Sequence, residues 1–135
     1  MKIVLNILIL ASFLFISDYS LSQTVRSDNG SRVGTWRGDT FRDNSGKLLY
    51  RMDNNGNVRD DGGRLVLRVS GNQFRDSSGR LLGRIDDNGT VRNSSGAQLG
   101  RIQDNGDVRD SSGRRIGSAS GMSKTKAAVT FFFWE

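Results

Sequence analysis

Arginines at a regular spacing are the residues of this chain best suited to contact another molecule. Six of them recur every 16 or 17 residues: Arg26, Arg42, Arg59, Arg75, Arg92 and Arg109. A guanidinium group forms paired hydrogen bonds with carboxylate and phosphate groups. A row of such groups predicts a surface for a polyanion, which would be an anionic glycan, a lipid headgroup or another anionic component of the cell envelope.

A structural role for these arginines is the alternative, and we favour it. The residue after each arginine is usually an acid or an amide, as at Asp43, Asp60, Asp76, Asn93 and Asp110. Arginine and aspartate on neighbouring strands would hold the strands in register, at a few tenths to about 1 kcal/mol per pair. A nucleic-acid partner is not expected, because few aromatic residues lie within the repeats to stack on bases.

The composition excludes most catalytic chemistry. The sequence contains no histidine and no cysteine, so the commonest general base and all thiolate metal ligands are absent. The aspartates recur with the repeat and lack the spacing of a calcium-binding loop, and the serines have no histidine partner. The sequence therefore predicts no enzyme, no catalytic residue, no cofactor and no metal site.

The arginines belong to a repeat that begins at Val25, Phe41, Val58, Phe74, Val91 and Val108. Numbering each repeat from this apolar residue places the arginines at position 2, with a second set at position 11. A unit of 16 or 17 residues cannot enclose a core, so the units must pack against one another.

Two further positions of the repeat have predicted structural roles. Position 6 is always glycine, which is typical of a turn that needs a positive φ angle. These glycines are Gly30, Gly46, Gly63, Gly79, Gly96 and Gly113. Position 9 is always aliphatic and is predicted to form the core. Its residues are Val33, Leu49, Val66, Leu82, Leu99 and Ile116.

Each repeat contains two turn patterns, and these predict two short strands per repeat. The first turn surrounds position 6, and the second, as at residues 86–89, contains the Asn-Gly pair typical of hairpins. Position 10 is often glycine, as at Gly83. We expect the second strand to bend there, so that the apolar residues at positions 9 and 12 face a common interior.

Two all-β arrangements fit this pattern. Each repeat could form a β-hairpin petal around an axis, or one coil of a parallel β-solenoid. Asn-Gly turns favour antiparallel hairpins, so the predicted fold is a ring of petals. Five complete second turns lie between the six repeat starts, which predicts a pseudo-five-fold axis.

Residues 122–135 depart from the repeat and include four consecutive aromatic residues, 131–134. Such side chains bury on the order of 150–250 Å² each when enclosed. We expect the segment to pack onto the repeats as a cap or to fill the axis, with a helical turn at 123–128 and a strand at its end. An aromatic platform for a ligand, or a tail that docks on a partner, is the less favoured alternative.

Residues 1–22 have the pattern of an export signal peptide. Lys2 precedes an apolar run from Ile3 to Ile16, and the small residues Ser20 and Ser22 suit a cut before Gln23. The run is shorter than the roughly 20 residues that a membrane-spanning helix needs. The mature chain, residues 23–135, is therefore predicted to be one exported domain without a transmembrane helix, either periplasmic or secreted.

The repeated units resemble a known family. Segments such as VRDSSG and GRIDDNG, followed by KAAVTFFFW, are similar to the five-fold β-flower family of small exported Bacteroidetes proteins, over about residues 25–135. The resemblance implies an all-β domain of pseudo-five-fold symmetric hairpins with no established activity and no catalytic residue. We therefore expect a non-catalytic exported structural or interaction module, with binding of an anionic polysaccharide or lipid headgroup through the arginines as the alternative.

Overall fold

The structure, a computed structural model, describes residues 22–134, which form twelve strands and a C-terminal helical segment. The strands are β1 (Ser22–Ser27), β2 (Arg32–Arg37), β3 (Thr40–Asp43), β4 (Leu48–Met52), β5 (Asn57–Asp60), β6 (Leu65–Ser70), β7 (Gln73–Asp76), β8 (Leu81–Ile85), β9 (Thr90–Asn93), β10 (Gln98–Ile102), β11 (Asp107–Asp110) and β12 (Arg115–Ser118). The signal peptide predicted at residues 1–22 lies outside the described residues except for Ser22, which begins β1. Between residues 22 and 134, no helix is long and apolar enough to cross a membrane.

The twelve strands form one closed antiparallel barrel. Each strand pairs with its neighbours in the sequence, and β12 pairs with β1 to close the ring. Five turns join consecutive repeats, and the pairing of β12 with β1 makes the sixth junction. The predicted all-β fold of hairpins is confirmed, and a parallel solenoid is excluded because every strand pairing is antiparallel.

A β-bulge occurs at position 9 in every repeat. In the second repeat Phe41 lies opposite Tyr50, but Arg42 lies opposite Leu48, so that Leu49 is the extra residue. The same shift in register occurs in the other five repeats. The bend predicted at position 10 therefore lies one residue earlier, and it is present whether position 10 is glycine or not.

The bulge decides which side chains form the core. Positions 10 and 12 face the interior together with position 1, whose six side chains are at most 2% exposed. Position 9, which the sequence predicts to form the core, is the extra residue of the bulge and packs at the edge of the core. Leu49, Val66, Leu82, Leu99 and Ile116 are half-buried and pack against the core. Val33 differs from them, because it is 44% exposed.

The C-terminal segment fills the barrel. It consists of helix α1 (Lys124–Ala128), whose N-cap is Ser123, and a π-helical turn at Val129–Phe133. Ala127, Ala128 and Val129 are almost fully buried. The predicted helical turn is confirmed, but the strand predicted after it is wrong. Every strand of the barrel is already paired on both sides, so a segment inside it must satisfy its backbone hydrogen bonds within itself.

Three consecutive phenylalanines of this segment lie against glycines at position 10 of three consecutive repeats. A Cβ atom added to Gly117 would lie 2.6 Å from the ring of Phe131. The equivalent distances are 2.6 Å between Gly100 and Phe132 and 2.9 Å between Gly83 and Phe133. A side chain with a Cβ atom would collide with the aromatic ring at each of these positions, so glycine is required there. Repeats two and three have Tyr50 and Leu67 at this position, and both side chains are buried.

Replacing Gly100 with alanine should destabilise the barrel by about 1–3 kcal/mol, because the added methyl group would collide with the ring of Phe132 and with the backbone carbonyl of Arg109. Urea unfolding measures the change. Gly62→Ala is the control, because Gly62 is exposed and its Cβ would meet only Asp60 Oδ1 at 3.5 Å. Equal stability of the two variants would contradict the packing argument.

Candidate functional site: the arginine belt

In repeats two to six, the first turn is built around its position-3 side chain. Asp76 Oδ1 accepts hydrogen bonds from the backbone N–H groups of Ser78 and Arg80 at 3.0 and 2.9 Å. Gly79 follows with a φ of +92°, which allows the chain to turn back. The same pair of hydrogen bonds forms in repeats two to six, including the repeat in which the residue is Asn93.

The position-2 arginines complete these turns. In all six repeats the arginine Nη1 donates a hydrogen bond to the carbonyl oxygen of its own position-6 glycine, at 2.9–3.1 Å. The pairs are Arg26 with Gly30, Arg42 with Gly46, Arg59 with Gly63, Arg75 with Gly79, Arg92 with Gly96 and Arg109 with Gly113. Each arginine thus has a structural role, and it uses one of its five N–H groups.

The partner of these arginines is therefore not the one that the sequence suggested. Among residues 22–134, ion pairs form only to Asp28, Asp86, Asp104 and Asp107. The position-3 acids take no part in them, because their carboxylates accept backbone N–H groups instead. Each position-2 arginine has a neutral acceptor instead, and only Arg92 and Arg109 also pair with an aspartate, Asp86 and Asp107 respectively.

A second row of arginines lies directly beside the first on the outer wall. The position-11 residues Arg51, Arg68, Arg84 and Arg101 pair across the strands with Arg59, Arg75, Arg92 and Arg109, respectively. We call the ten arginines at positions 2 and 11 the arginine belt. Like charges placed opposite each other on a sheet repel, so the belt is an electrostatic cost to the free protein.

Only part of the belt is neutralised. Asp86 lies 3.5 Å from Arg84 and 2.9 Å from Arg92, and so bridges that pair. Asp107 lies 3.9 Å from Arg109. No carboxylate among the described residues lies within ion-pair distance of the pairs Arg51/Arg59 and Arg68/Arg75. The wall between β4 and β7 is therefore a continuous part of the belt without ion pairs among the described residues, and Arg26, Arg42 and Arg101 form none either.

Position 11 is not arginine in the first and sixth repeats, which have Thr35 and Ser118 there, and sequence reasoning missed the groove beside Thr35. Position 11 is Thr35 in the first repeat, and the short side chain leaves a groove of about 330 Å³. The groove is lined by Ser22, Thr24, Arg32, Thr35, Arg37, Arg42, Asp43, Asn44 and Gly46. The sequence pattern that could have revealed it is the interruption of the position-11 arginines at Thr35. We call this feature the first-hairpin groove.

The structure brings together no arrangement typical of catalysis in the part of the chain it describes. Within residues 22–134, no three acidic side chains lie close enough to hold a metal ion. Every buried side-chain nitrogen or oxygen there has a hydrogen-bond partner. The pKa of the Tyr50 hydroxyl is raised by burial, and this group contacts the Thr130 hydroxyl at 2.7 Å. Its role is to anchor the C-terminal segment inside the barrel.

Comparison with known proteins gives one result. A family model described as 5-fold beta-flower protein matches residues 22–135. No curated protein and no solved structure matches the chain.

The structural role of position 2 can be separated from its charge. Arg59→Gln should lower the free energy of unfolding by about 0.5–1.5 kcal/mol, because it removes the hydrogen bond to Gly63. Arg51→Gln is a matched control, since it removes an equal charge from the same cross-strand pair without removing a hydrogen bond. Urea unfolding compares the two variants. Equal losses of stability would show that the hydrogen bond contributes nothing.

The turn carboxylates predict an acid-sensitive stability. Hydrogen bonds lower the pKa values of three turn carboxyls. For Asp43 the main cause is the hydrogen bond from the backbone N–H of Lys47. For Asp76 and Asp110 the main causes are the hydrogen bonds from the hydroxyls of Ser78 and Ser112, respectively. Because these pKa values are lower in the folded state, the stabilisation is present above the ordinary carboxyl pKa of about 4. It is lost as the pH falls through the folded-state pKa.

The urea midpoint should therefore fall between about pH 5 and about pH 2. The triple variant Asp43→Asn, Asp76→Asn and Asp110→Asn should show a flatter dependence, because Asn93 already accepts the same two N–H groups in its repeat. An unchanged dependence in the triple variant would assign the acid sensitivity to other groups.

Proposed function

The chain belongs to the 5-fold β-flower family, and from this membership we propose that it is a non-catalytic exported module whose outer wall makes the contacts with other molecules. The main support is the occupied interior. Barrels of this kind often hold a ligand inside, but here the axis is filled by residues 124–134 of the same chain. The charged and hydrogen-bonding side chains available for recognition are therefore those on the outside, because the cavity of about 460 Å³ that remains beside residues 132–134 is lined by apolar side chains.

Export is part of the proposal and is supported by the sequence of residues 1–22. The predicted cut before Gln23 would remove only the first residue of β1. The remaining residues of that strand still pair with β2 and β12. Such a product would retain the closed barrel in the periplasm or outside the cell.

The absence of catalysis is proposed on the chemistry of the side chains. The sequence has no histidine or cysteine to act as general base or nucleophile. Five of the six position-3 side chains, at Asp43, Asp60, Asp76, Asn93 and Asp110, are engaged by backbone N–H groups of their own turns. Acids that recur in this way serve each turn separately and do not converge on one reacting centre.

Binding of a polyanion is the specific form of this function that the belt favours. The pairs Arg51/Arg59 and Arg68/Arg75 face each other without a carboxylate between them. An acidic polysaccharide or an anionic lipid surface would supply the missing counter-charge and relieve the repulsion. Because the position-2 guanidinium groups are held by carbonyl oxygens, they are already oriented before the partner binds.

The double variant Arg51→Gln and Arg68→Gln tests this function. It should elute from immobilised dextran sulfate at lower salt than the wild type, and it should bind vesicles containing phosphatidylglycerol less well if the partner is a lipid. Its thermal stability should be equal to that of the wild type or slightly higher, because among the described residues these two side chains form no hydrogen bond or ion pair and their removal relieves the repulsion within each pair.

The matched control is Arg64→Gln with Arg80→Gln, which removes two charges from the turns of repeats three and four instead of the wall. Its elution should remain close to that of the wild type. Equal weakening by both double variants would indicate attraction by net charge alone. No salt-sensitive retention of the wild type would leave the arginines with only their structural role.

A further inference from the structure

The first-hairpin groove is a concave polar surface of the outer wall at a position where the arginine of the repeat is missing. In repeats two to five, position 11 is an arginine that lies opposite position 2 of the next repeat. In repeat one, Thr35 lies between Thr24 on β1 and Arg42 on β3. The two threonines therefore form a floor of short hydroxyl side chains between longer neighbours.

The walls of the groove are cationic. Arg32 and Arg37 are exposed residues at the two ends of β2, and Arg42 lies on β3. Their three positive charges are opposed within the lining by the single carboxylate of Asp43. Ser22 also lines the groove, but the predicted cut before Gln23 would remove it, so it would not contribute to the groove of the exported chain.

Hydrogen bonds hold these walls in place. Arg42 Nη1 donates to the Gly46 carbonyl at 3.0 Å, and the Asn44 side chain donates to the carbonyl of Arg32, which ties the β3–β4 turn to β2. Thr40 Oγ1 donates to the carbonyl of Arg37 at 3.0 Å. A groove whose lining is fixed in advance loses less conformational entropy when a ligand binds.

Asp43 adds an acceptor to this lining. Its Oδ1 accepts the N–H groups of Ser45 and Lys47, while its Oδ2 forms no hydrogen bond with the described residues. The turn hydrogen bonds lower the pKa of this carboxyl, so it is ionised at neutral pH. An ionised carboxylate accepts hydrogen bonds from hydroxyl groups and repels an anionic group, so this side of the groove suits the hydroxyl groups of a ligand and the arginines suit its negative charge.

We propose that the first-hairpin groove binds one uronate residue of an acidic polysaccharide. The sugar carboxylate would pair with the guanidinium groups of Arg37 and Arg42, and the sugar hydroxyls would bond to Thr24, Thr35 and Asp43. The volume of the groove, about 330 Å³, is at the lower end of the range for ligand sites. This inference rests on the proposed function, since it assigns the outer wall a specific anionic partner.

Trigalacturonate is the probe for this site, and the full-length chain is titrated with it by calorimetry. The wild type should bind saturably at a single site. Arg37→Gln should weaken binding about tenfold, which is the loss expected for one charge-assisted contact. Arg64→Gln removes an equal charge from an exposed turn that belongs neither to the groove nor to the belt, and it should leave the affinity unchanged.

Thr35→Arg is the decisive variant. It introduces the arginine that repeats two to five already have at position 11, so it is compatible with the fold and raises the positive charge of the wall. Because the longer side chain would occupy the groove, it should abolish trigalacturonate binding while the thermal stability is kept. A general electrostatic surface would instead bind the probe more tightly.

Several results would overturn the proposal. These are unchanged or tighter binding by Thr35→Arg, no binding by the wild type, and equal binding of neutral trigalactose. Displacement by inorganic sulfate or phosphate at the same concentration as the trisaccharide would show an anion site without sugar recognition. If trigalacturonate does not bind but the wild type is retained on dextran sulfate, only the proposed sugar site in the groove is refuted. If the wild type is not retained on dextran sulfate, the proposed binding of polyanions by the belt is refuted.

Discussion

The packing of the C-terminal aromatic segment against the position-10 glycines is the interaction on which the rest of this structure depends. Each repeat contributes only two strands of four to six residues, which cannot enclose a core. The ring closes through β1 and β12, which lie at opposite ends of the domain in sequence. Residues 131–134 contact several repeats at once, and the hydroxyl of Thr130 bonds to both Trp36 and Tyr50. This segment therefore stabilises the whole ring and not one hairpin.

The same packing makes similar repeats unequal. Phe131, Phe132 and Phe133 lie against the position-10 glycines of repeats six, five and four, whereas Trp134 packs on Tyr50 of repeat two with ring centroids 4.1 Å apart. A residue that recurs in every repeat is explained first by something that every repeat needs, such as the arginine bond to the turn glycine. A residue that breaks the pattern requires a local reason. At position 10 the reason is the aromatic packing inside the barrel, and at position 11 it is the groove beside Thr35 on the outer wall.

Local sequence was sufficient to predict the elements that depend on local chemistry. The turn glycines at position 6, the hairpins and the helical turn that starts at Ser123 all follow from residues adjacent in the chain. The role of Gly100 could not be predicted in this way, because the ring that excludes a Cβ belongs to Phe132, more than thirty residues away. The strand expected after Ala128 failed for a related reason. Aromatic residues suit a strand, but a closed barrel offers no edge with which another strand can pair.

The structural and binding roles of the arginines, which looked like alternatives in the sequence, are compatible in the structure. An aspartate partner would have fixed each guanidinium and neutralised its charge at the same time. A glycine carbonyl fixes the position-2 guanidinium without neutralising it, while the aspartate beside it bonds to the turn backbone. The arginine and the aspartate are therefore adjacent in the chain, but each bonds to the turn backbone and they do not pair with each other. The result is a rigid wall whose positive charge, at Arg51/Arg59 and Arg68/Arg75, remains available to a molecule outside the barrel.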